Sequence, residues 1–387
     1  MKEVYLDHAA STFVDPRVKK AMEQYGCRDF GNPGSFHSAG LRVLKGLESA
    51  RQVVSSVLGC TSDEIVFTGS GTESINLAIK GVFRASKKKH IVVSCVEHHA
   101  VLETCRYLEK HEGARITVLP VDRYGQISPK QLERTICPDT VLVSVMYANN
   151  EVGTINNIPA LAKIAKRHGV LFHTDACQAG AFLDIDVNHL GVDLLTLNGS
   201  KVYGPKGIGI LFVRKGVDIH PLIHGGHQEF GLRSGTESVP LIVGFAKALE
   251  IAQKCRKKEV VRLSRLRDRL IVGIINSIPK VVLNGHPRER LPNNVNFSFL
   301  DVEGEALLLH LNEHKIFAST GSACSSRNLE PSHVVLSLGC PREVCHGSVR
   351  FSLGRNSTKA DVDRVLRVLP GIVDKLRRLS PVRLRYG

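Results

Sequence analysis

The sequence predicts an α/β protein with a large domain on a mainly parallel sheet and a smaller α+β C-terminal domain. Three observations carry this reading. Strand-like and helix-like segments alternate from about residue 60 to 250, the rhythm of a parallel sheet with helices on both faces. One long helical stretch, Lys254 to Ile275, then leaves that region. Beyond it the pattern changes, with a strand over Asn294-Val-Asn-Phe-Ser-Phe299 beside a helix over Glu303 to Leu311, which suits a separate lobe. The expected boundaries are 15–255 for the large domain, and 1–14 with 256–387 for the small one.

The elements follow from short apolar runs bounded by turn residues. Strands are expected over Glu64-Ile-Val-Phe-Thr68, Ile91 to Ser94, Arg115 to Leu119 and Thr140 to Met146. Further strands are expected at Gly169-Val-Leu-Phe172, Asp193 to Leu197 and Gly209 to Val213. Helices are expected from Gly71 to Phe83 and from Ile158 to His168. Turns such as Asn284-Gly-His-Pro287 punctuate the chain, with no internal repeat and no low-complexity linker.

Composition narrows the class. A chain of 387 residues with 43% hydrophobic and 23% charged residues is ordinary for a globular protein. No run approaches the roughly 18 apolar residues of a membrane span. The start, Met-Lys-Glu-Val-Tyr-Leu-Asp7, has no apolar export core, so a cytoplasmic protein is expected. The 10 cysteines are scattered, and the closest pair, Cys340 and Cys345, has no second pair nearby, so neither disulfides nor a structural metal site is expected. Net charge is +15, concentrated in Lys254 to Arg269 and in the tail from Arg364 to Arg385. Val260, Leu263, Leu266 and Leu270 recur there at helical spacing, which reads as the solvated face of amphipathic helices. With no Trp and 7 Tyr there is no aromatic–basic interleaving, and direct nucleic-acid binding is not expected.

The chemistry sits at strand ends. Asp175-Ala-Cys-Gln178 and Asn198-Gly-Ser-Lys201-Val-Tyr-Gly-Pro-Lys-Gly207 each follow an apolar run, so Asp175 and Lys201 fall near the carboxyl edge of the sheet, where open α/β sheets bind ligands. A lysine to hold an aldehyde and an anion to keep a pyridine nitrogen protonated are a protein's share of a pyridoxal 5'-phosphate (PLP) site. Thr68-Gly-Ser-Gly71-Thr72-Glu-Ser74 links a strand to a helix start and offers free N–H groups to a phosphate, with Ser200 as a second hydroxyl. Glu97-His98-His99 brings a histidine to the same edge, placed to stack on an aromatic cofactor and move protons. Asn149-Asn150 adds amides there. Cys324, inside Ser319-Thr-Gly-Ser-Ala-Cys324-Ser-Ser-Arg-Asn328, has polar neighbours and Arg327, which favour an exposed thiolate nucleophile. Arg350, in a strand-like run, is a candidate fork for an α-carboxylate.

Taken in order, these pieces resemble a cysteine desulfurase of the NifS/IscS type, within the class V aminotransferase group of fold-type-I PLP-dependent transferases. The resemblance runs through Tyr5-Leu-Asp-His-Ala-Ala10, Phe30-Gly-Asn-Pro33, Thr72-Glu-Ser74, Glu97-His98, Asn149-Asn150-Glu151 and Thr174-Asp175-Ala-Cys-Gln178. It continues through Lys201 to Gly207, Gly225-Gly-His-Gln-Glu229, Arg233-Ser-Gly-Thr236, Gly321-Ser-Ala-Cys324-Ser and Arg350-Phe-Ser-Leu-Gly-Arg355.

The resemblance implies a role for each position. Lys201 would carry PLP, Asp175 would pair with the pyridinium, Gln178 would bond the ring oxygen, and His98 would stack on the ring. Gly71, Thr72 and Ser200 would hold the phosphate, with Thr236 reaching in from the partner of a homodimer. Asn150 and Arg350 would bind the carboxylate of L-cysteine. Cys324, on a loop spanning about 319–330, would take the sulfur as a persulfide and release alanine. An iron–sulfur scaffold or a tRNA-thiolation enzyme would accept that sulfur, and Cys324 is the only residue with any prospect of touching a cluster, transiently.

Three departures stand out. The family's common Ser-Gly-His-Lys is Asn198-Gly-Ser-Lys201 here, so an imidazole that would contact the phosphate is lost and weaker PLP retention is expected. The chain ends soon after Leu379-Ser-Pro381, so docking to a scaffold through a longer tail is not expected. A selenocysteine lyase of the same fold is the alternative enzyme, distinguished by dependence of alanine release on Cys324.

Overall fold

In the computed structural model, which describes residues 2–321, 331–381 and 384, neighbouring residues of the central strands face opposite cores. Ile65 and Phe67 point into one apolar cluster and Val66 into another. Val92 lies opposite Ile91 and Val93, and Ile210 and Phe212 lie opposite Leu211 and Val213. This period-2 division makes the strands read as continuous apolar runs, because both faces of the sheet are covered.

The chain opens with β1 (Val4–Tyr5), α1 (Pro16–Glu23) and α2 (Ser38–Leu58). The alternating part comprises β2 (Ile65–Thr68), α3 (Gly71–Ala85), β3 (His90–Ser94), α4 (His99–Glu112), β4 (Arg115–Leu119) and α5 (Pro129–Thr135). It goes on through β5 (Thr140–Ser144), α6 (Ile158–Arg167), β6 (Leu171–Asp175), α7 (Val187–Leu190), β7 (Leu194–Asn198) and β8 (Gly209–Val213). The 39-residue α8 (Val239–Ser277) follows. Then come β9 (Val281–Leu283), β10 (Asn294–Phe299), α9 (Gly304–Glu313), β11 (Ile316–Phe317), α10 (His333–Ser337), α11 (Arg342–Cys345), β12 (Ser348–Ser352) and α12 (Lys359–Leu379).

The large sheet has the order β2-β8-β7-β6-β5-β3-β4. Every pairing among β4, β3, β5, β6 and β7 is parallel, and β8 alone runs antiparallel to both its neighbours. The mainly parallel sheet expected from the sequence is therefore present. Its topology brings the carboxyl ends of β2, β3, β5, β6 and β7 to one edge, so the segments that follow these strands converge. A smaller antiparallel sheet, β12-β10-β9, and the parallel pair β1-β11 form the rest.

One helical expectation changes. The long helix begins at Val239, fifteen residues before Lys254, because Pro240 presets its first turn. Its early part is buried on several sides (Val239, Ile242 and Leu249 on one, Gly244, Ala248 and Ile251 on another), which blurs the amphipathic period used to find it. Most of the basic stretch within it is solvated, as expected, with Lys254, Lys257, Lys258, Arg265 and Arg269 exposed, but two of its arginines bond main-chain carbonyls. Arg267 is buried and donates to the carbonyls of Arg290 and Leu291, and Arg262 donates to those of Gly354 and Ser357. These arginines clamp segments that follow α8 to the helix. In the tail, Arg377 likewise bonds the carbonyls of Lys280 and Leu300.

Gly209, at the start of β8, lets the N-terminus of α3 sit against the sheet. An added Cβ there would stand 2.5 Å from the carbonyl carbon of Ser70 and 2.8 Å from the nitrogen of Gly71. Gly209→Ala is expected to cost about 1–3 kcal/mol, the usual range for overpacking, and to displace the Ser70–Gly71 turn. A denaturant midpoint unchanged from wild type would show that the turn yields freely.

Candidate active site

Five chain segments meet at the carboxyl edge of the large sheet around a cavity of about 230 Å³. Asp175 is the last residue of β6, and its Oδ1 accepts from the N–H of Cys177 at 2.9 Å. That bond turns the chain so that Gln178 also lines the cavity, its amide donating to the carbonyl of Ala9 at 3.0 Å. Lys201 closes a short 3-10 turn after β7, and Asn198 caps that turn by accepting from the N–H of Ser200. The Lys201 ammonium donates to the carbonyl of Ala10 at 2.5 Å. Gly71 and Thr72, the first turn of the 15-residue α3, line the next wall. A Cβ on Gly71 would stand 3.0 Å from the Cys177 sulfur, so this turn is tightly packed against the chain after β6.

His98 is the N-cap of α4. Its Nδ1 accepts from the N–H of Ala100 at 3.0 Å, which leaves the proton of the neutral ring on Nε2. Across the cavity Arg350 enters from β12. One of its terminal nitrogens donates to the carbonyl of Asn150 at 2.9 Å and the other to Oδ1 of Asp7 at 2.7 Å. Its Nε is buried and has no partner among the described residues. Removing a guanidinium from water while leaving one donor idle costs free energy, so that donor is a ready contact for an incoming acceptor.

Burial sets the protonation states. It pushes the Lys201 amine below its ordinary pKa, towards the neutral nucleophile that carbonyl capture needs. Burial also lowers His98, the nearby Asp175 carboxylate opposing it. Beneath Asp175, His173 is lowered to about 4 and bridges Ser144 at 2.8 Å and Thr196 at 3.0 Å as a neutral ring. Glu97 is pushed up to about 8 by burial, although the Ser94 hydroxyl and the N–H of Met146 both donate to its Oε1.

The structure therefore gathers Gly71, Thr72, His98, Asn150, Asp175, Gln178, Lys201 and Arg350 around one cavity. Ser200 does not line it; its hydroxyl turns to Asn198 Oδ1 at 3.3 Å, and Asn198 takes the place on the wall. Thr236 is exposed and lies outside the cavity of this chain. Cys324 falls outside the described residues, though Gly321, just before it, is a wall of the cavity. Sequence reasoning assigned no role to Asp7, Glu97 or Glu151. Each was quoted within a motif, but only the fold shows what it touches. The amine, carboxylate, amide, helix N-terminus and half-satisfied guanidinium are the donor set PLP and an amino-acid substrate would require. Among the described residues no cluster of metal-ligating side chains occurs.

The chain is similar to known proteins along nearly its whole length. A family model described as Aminotransferase class-V matches residues 4–365. The chain is 51% identical over 387 residues to a protein of Dictyoglomus turgidum named "Cysteine desulfurase IscS", covering 100% of this chain and 98% of that one. It is 52% identical over 383 residues to one of the same name from Methanosarcina thermophila, covering 98% and 94%. A solved structure titled "NIFS-LIKE PROTEIN" superposes with a TM-score of 0.91 at 37% identity, covering 97% of this chain and 100% of that chain.

Glu97 supplies a pH signature. Unfolded, it loses its proton near its ordinary 4.5; folded, it keeps it to about 8. Between these values the folded state binds the extra proton, so stability falls as pH rises. Glu97→Gln, which keeps the acceptor oxygen, is expected to gain on wild type across that window by up to about 1.4 kcal/mol per pH unit. Denaturant titrations at several pH values check this, and a constant difference would show that Glu97 ionises normally.

Proposed function

The chain belongs to the class V aminotransferase family of PLP-dependent enzymes, and on that premise we propose that it is a cysteine desulfurase acting through a persulfide on Cys324. The observation that carries the proposal is the pairing, in one cavity, of Lys201 and Asp175 on one wall with the half-satisfied Arg350 on another. The first two suit the cofactor, and Arg350 suits the carboxylate of an amino acid. The relatives' shared name supplies L-cysteine as that amino acid.

PLP, when bound, supplies an aldehyde for the substrate amine and a ring that takes up the electron pair left at the α-carbon. The chain does the rest. Lys201 holds the cofactor and, once displaced, moves the α-proton. Asp175 keeps the pyridine nitrogen protonated, Gln178 bonds the ring oxygen, and His98 covers the ring. Gly71 and Thr72 would hold the phosphate together with the partner subunit's Thr236 in a homodimer, while the Ser200 hydroxyl stays turned to Asn198. Asn150 and Arg350 fix the substrate carboxylate. The Cys324 thiolate attacks the substrate sulfur, the sulfur–Cβ bond breaks, and its electron pair leaves with the three-carbon fragment. The balance is L-cysteine plus Cys324–SH giving L-alanine plus Cys324–S–SH.

The acceptor of that sulfur is an iron–sulfur scaffold or a tRNA-thiolation enzyme, and the setting is the cytoplasm. No helix among the described residues is long and apolar enough to cross a membrane. Cys105, Cys177 and Cys345 are free thiols. Burial raises Cys105 and Cys345 to about 12 and Cys177 well above its ordinary value, which leaves these thiols poor nucleophiles beside Cys324.

Lys201→Ala is expected to abolish both the visible absorbance of bound cofactor and alanine release; retained turnover would remove Lys201 from the site. Cys324→Ala is expected to keep that absorbance and lose persulfide formation, read by mass spectrometry of the intact chain. Because Ser200 is engaged by Asn198, turnover is expected to rise when PLP is added to dialysed protein. A dialysed enzyme that stays saturated would show that the Asn198–Ser200 pair does not weaken the phosphate site.

A further inference from the structure

Glu151 follows the Asn149-Asn150 turn and is buried, yet none of the roles above uses it. Its Oε2 accepts from the hydroxyl of Ser332 at 2.5 Å. The same oxygen lies against Gly321, where an added Cβ would stand 2.6 Å from it. Gly321 has φ +100°, so its backbone and its neighbour both require glycine. Gly321 and Ser332 flank the segment that carries Cys324, and both meet one carboxyl group.

The backbone that carries this carboxyl is itself firmly held. The Glu151 carbonyl accepts from the side-chain amides of Asn294 and Asn296, each at 3.1 Å, and its N–H donates to Asn149 Oδ1. Asn296 pairs with Arg350 across β10 and β12. On the preceding side, Ser319 and Arg350 exchange backbone hydrogen bonds of 3.1 and 2.6 Å. On the following side, the ring of His333 bonds the carbonyl of Glu97 at 3.0 Å. Cys324 stands three residues after Gly321, so their Cα atoms can be at most about 11 Å apart. Where Gly321 is pinned therefore limits where the thiol can reach.

We propose that Glu151 is a positioning residue for sulfur transfer, tethering both flanks of the Cys324 segment, through Gly321 and Ser332, to the turn that also presents Asn150. The proposal rests on the reading of Cys324 as the sulfur acceptor. It separates two halves of the reaction. Capture of an amino acid and exchange of its α-proton need Lys201 and Arg350 but no thiol, whereas alanine release from L-cysteine needs the thiol within reach of the substrate sulfur.

The test compares Glu151→Ala, Ser332→Ala and Glu151→Gln, loaded with PLP, in two assays. One follows alanine release from L-cysteine; the other follows exchange of the α-proton of L-alanine with deuterated water. Both alanine variants are expected to lose about 10- to 100-fold in kcat for alanine release, the scale of a misplaced reacting group. Their α-proton exchange and KM should stay within about twofold. Glu151→Gln keeps an acceptor for Ser332 and should stay within about threefold of wild type in both assays. Ser332 is half-buried at the start of a short helix, so Ser332→Ala keeps the test open if Glu151→Ala fails to fold. Parallel loss of exchange and release would overturn the proposal, placing Glu151 in the substrate pocket through Asn150. Unchanged release in both alanine variants, or a Gln variant as poor as Ala, would also overturn it. If Cys324→Ala itself releases alanine at the wild-type rate, the underlying reading of Cys324 fails instead.

Discussion

The guanidinium of Arg350 is buried where four parts of the chain meet, and the geometry of the site depends on how it is held. It donates to Asp7 in the N-terminal segment and to the carbonyl of Asn150 after β5. Its backbone pairs with Asn296 on one side and Ser319 on the other. Burying this charge is expensive unless its donors are matched, and removing one member of such a pair is costlier than never having had it. The chain matches two of the three donor positions and leaves Nε idle. A ligand carboxylate can therefore complete a set of contacts that folding alone leaves unfinished.

Around that charge, burial moves other titratable groups towards their neutral forms. The Lys201 amine, the His98 and His173 imidazoles and the Glu97 carboxyl all shift in that direction, each with burial as its leading cause. Such a setting suits chemistry in which an amine must attack a carbonyl and protons must move without stray charge. The converging strand ends supply it structurally. Parallel strands bring several loops to one edge, and the reversed β8 places Gly209 there so that α3 can approach closely.

The positive charge of the chain is partly a matter of architecture. Arg262, Arg267 and Arg377 bond main-chain carbonyls of the segments that follow α8, satisfying acceptors that would otherwise be buried unpaired or left to water. Arg51 does the same beside the large sheet. It forks onto Glu229 and the carbonyl of Ile65, between the rings of Phe67 and Phe230. A count of charges therefore overstates what is free to attract a polyanion.

The α/β class, the mainly parallel sheet and most of the strands were legible in the sequence because strands buried on both faces read as short apolar runs. Asp175, Gln178, Lys201 and Gly71 were legible too, since each lies at or just past the end of such a run and local chain direction decides where it points. The start of the long helix was not, because a segment buried on several sides loses the period that marks amphipathic helices. Nor were the outward turn of Ser200 towards Asn198, the pairing of Asp7 with Arg350, or the meeting of Gly321 and Ser332 at Glu151. These contacts join residues up to 343 positions apart, and no local pattern encodes such a distance. Sequence periodicity and strand-end placement determined the fold and the first ring of the site. Only the packing of the N-terminal segment and the segments after α8 against the sheet edge decided which buried groups meet, because that depends on the long-range geometry of many contacts at once.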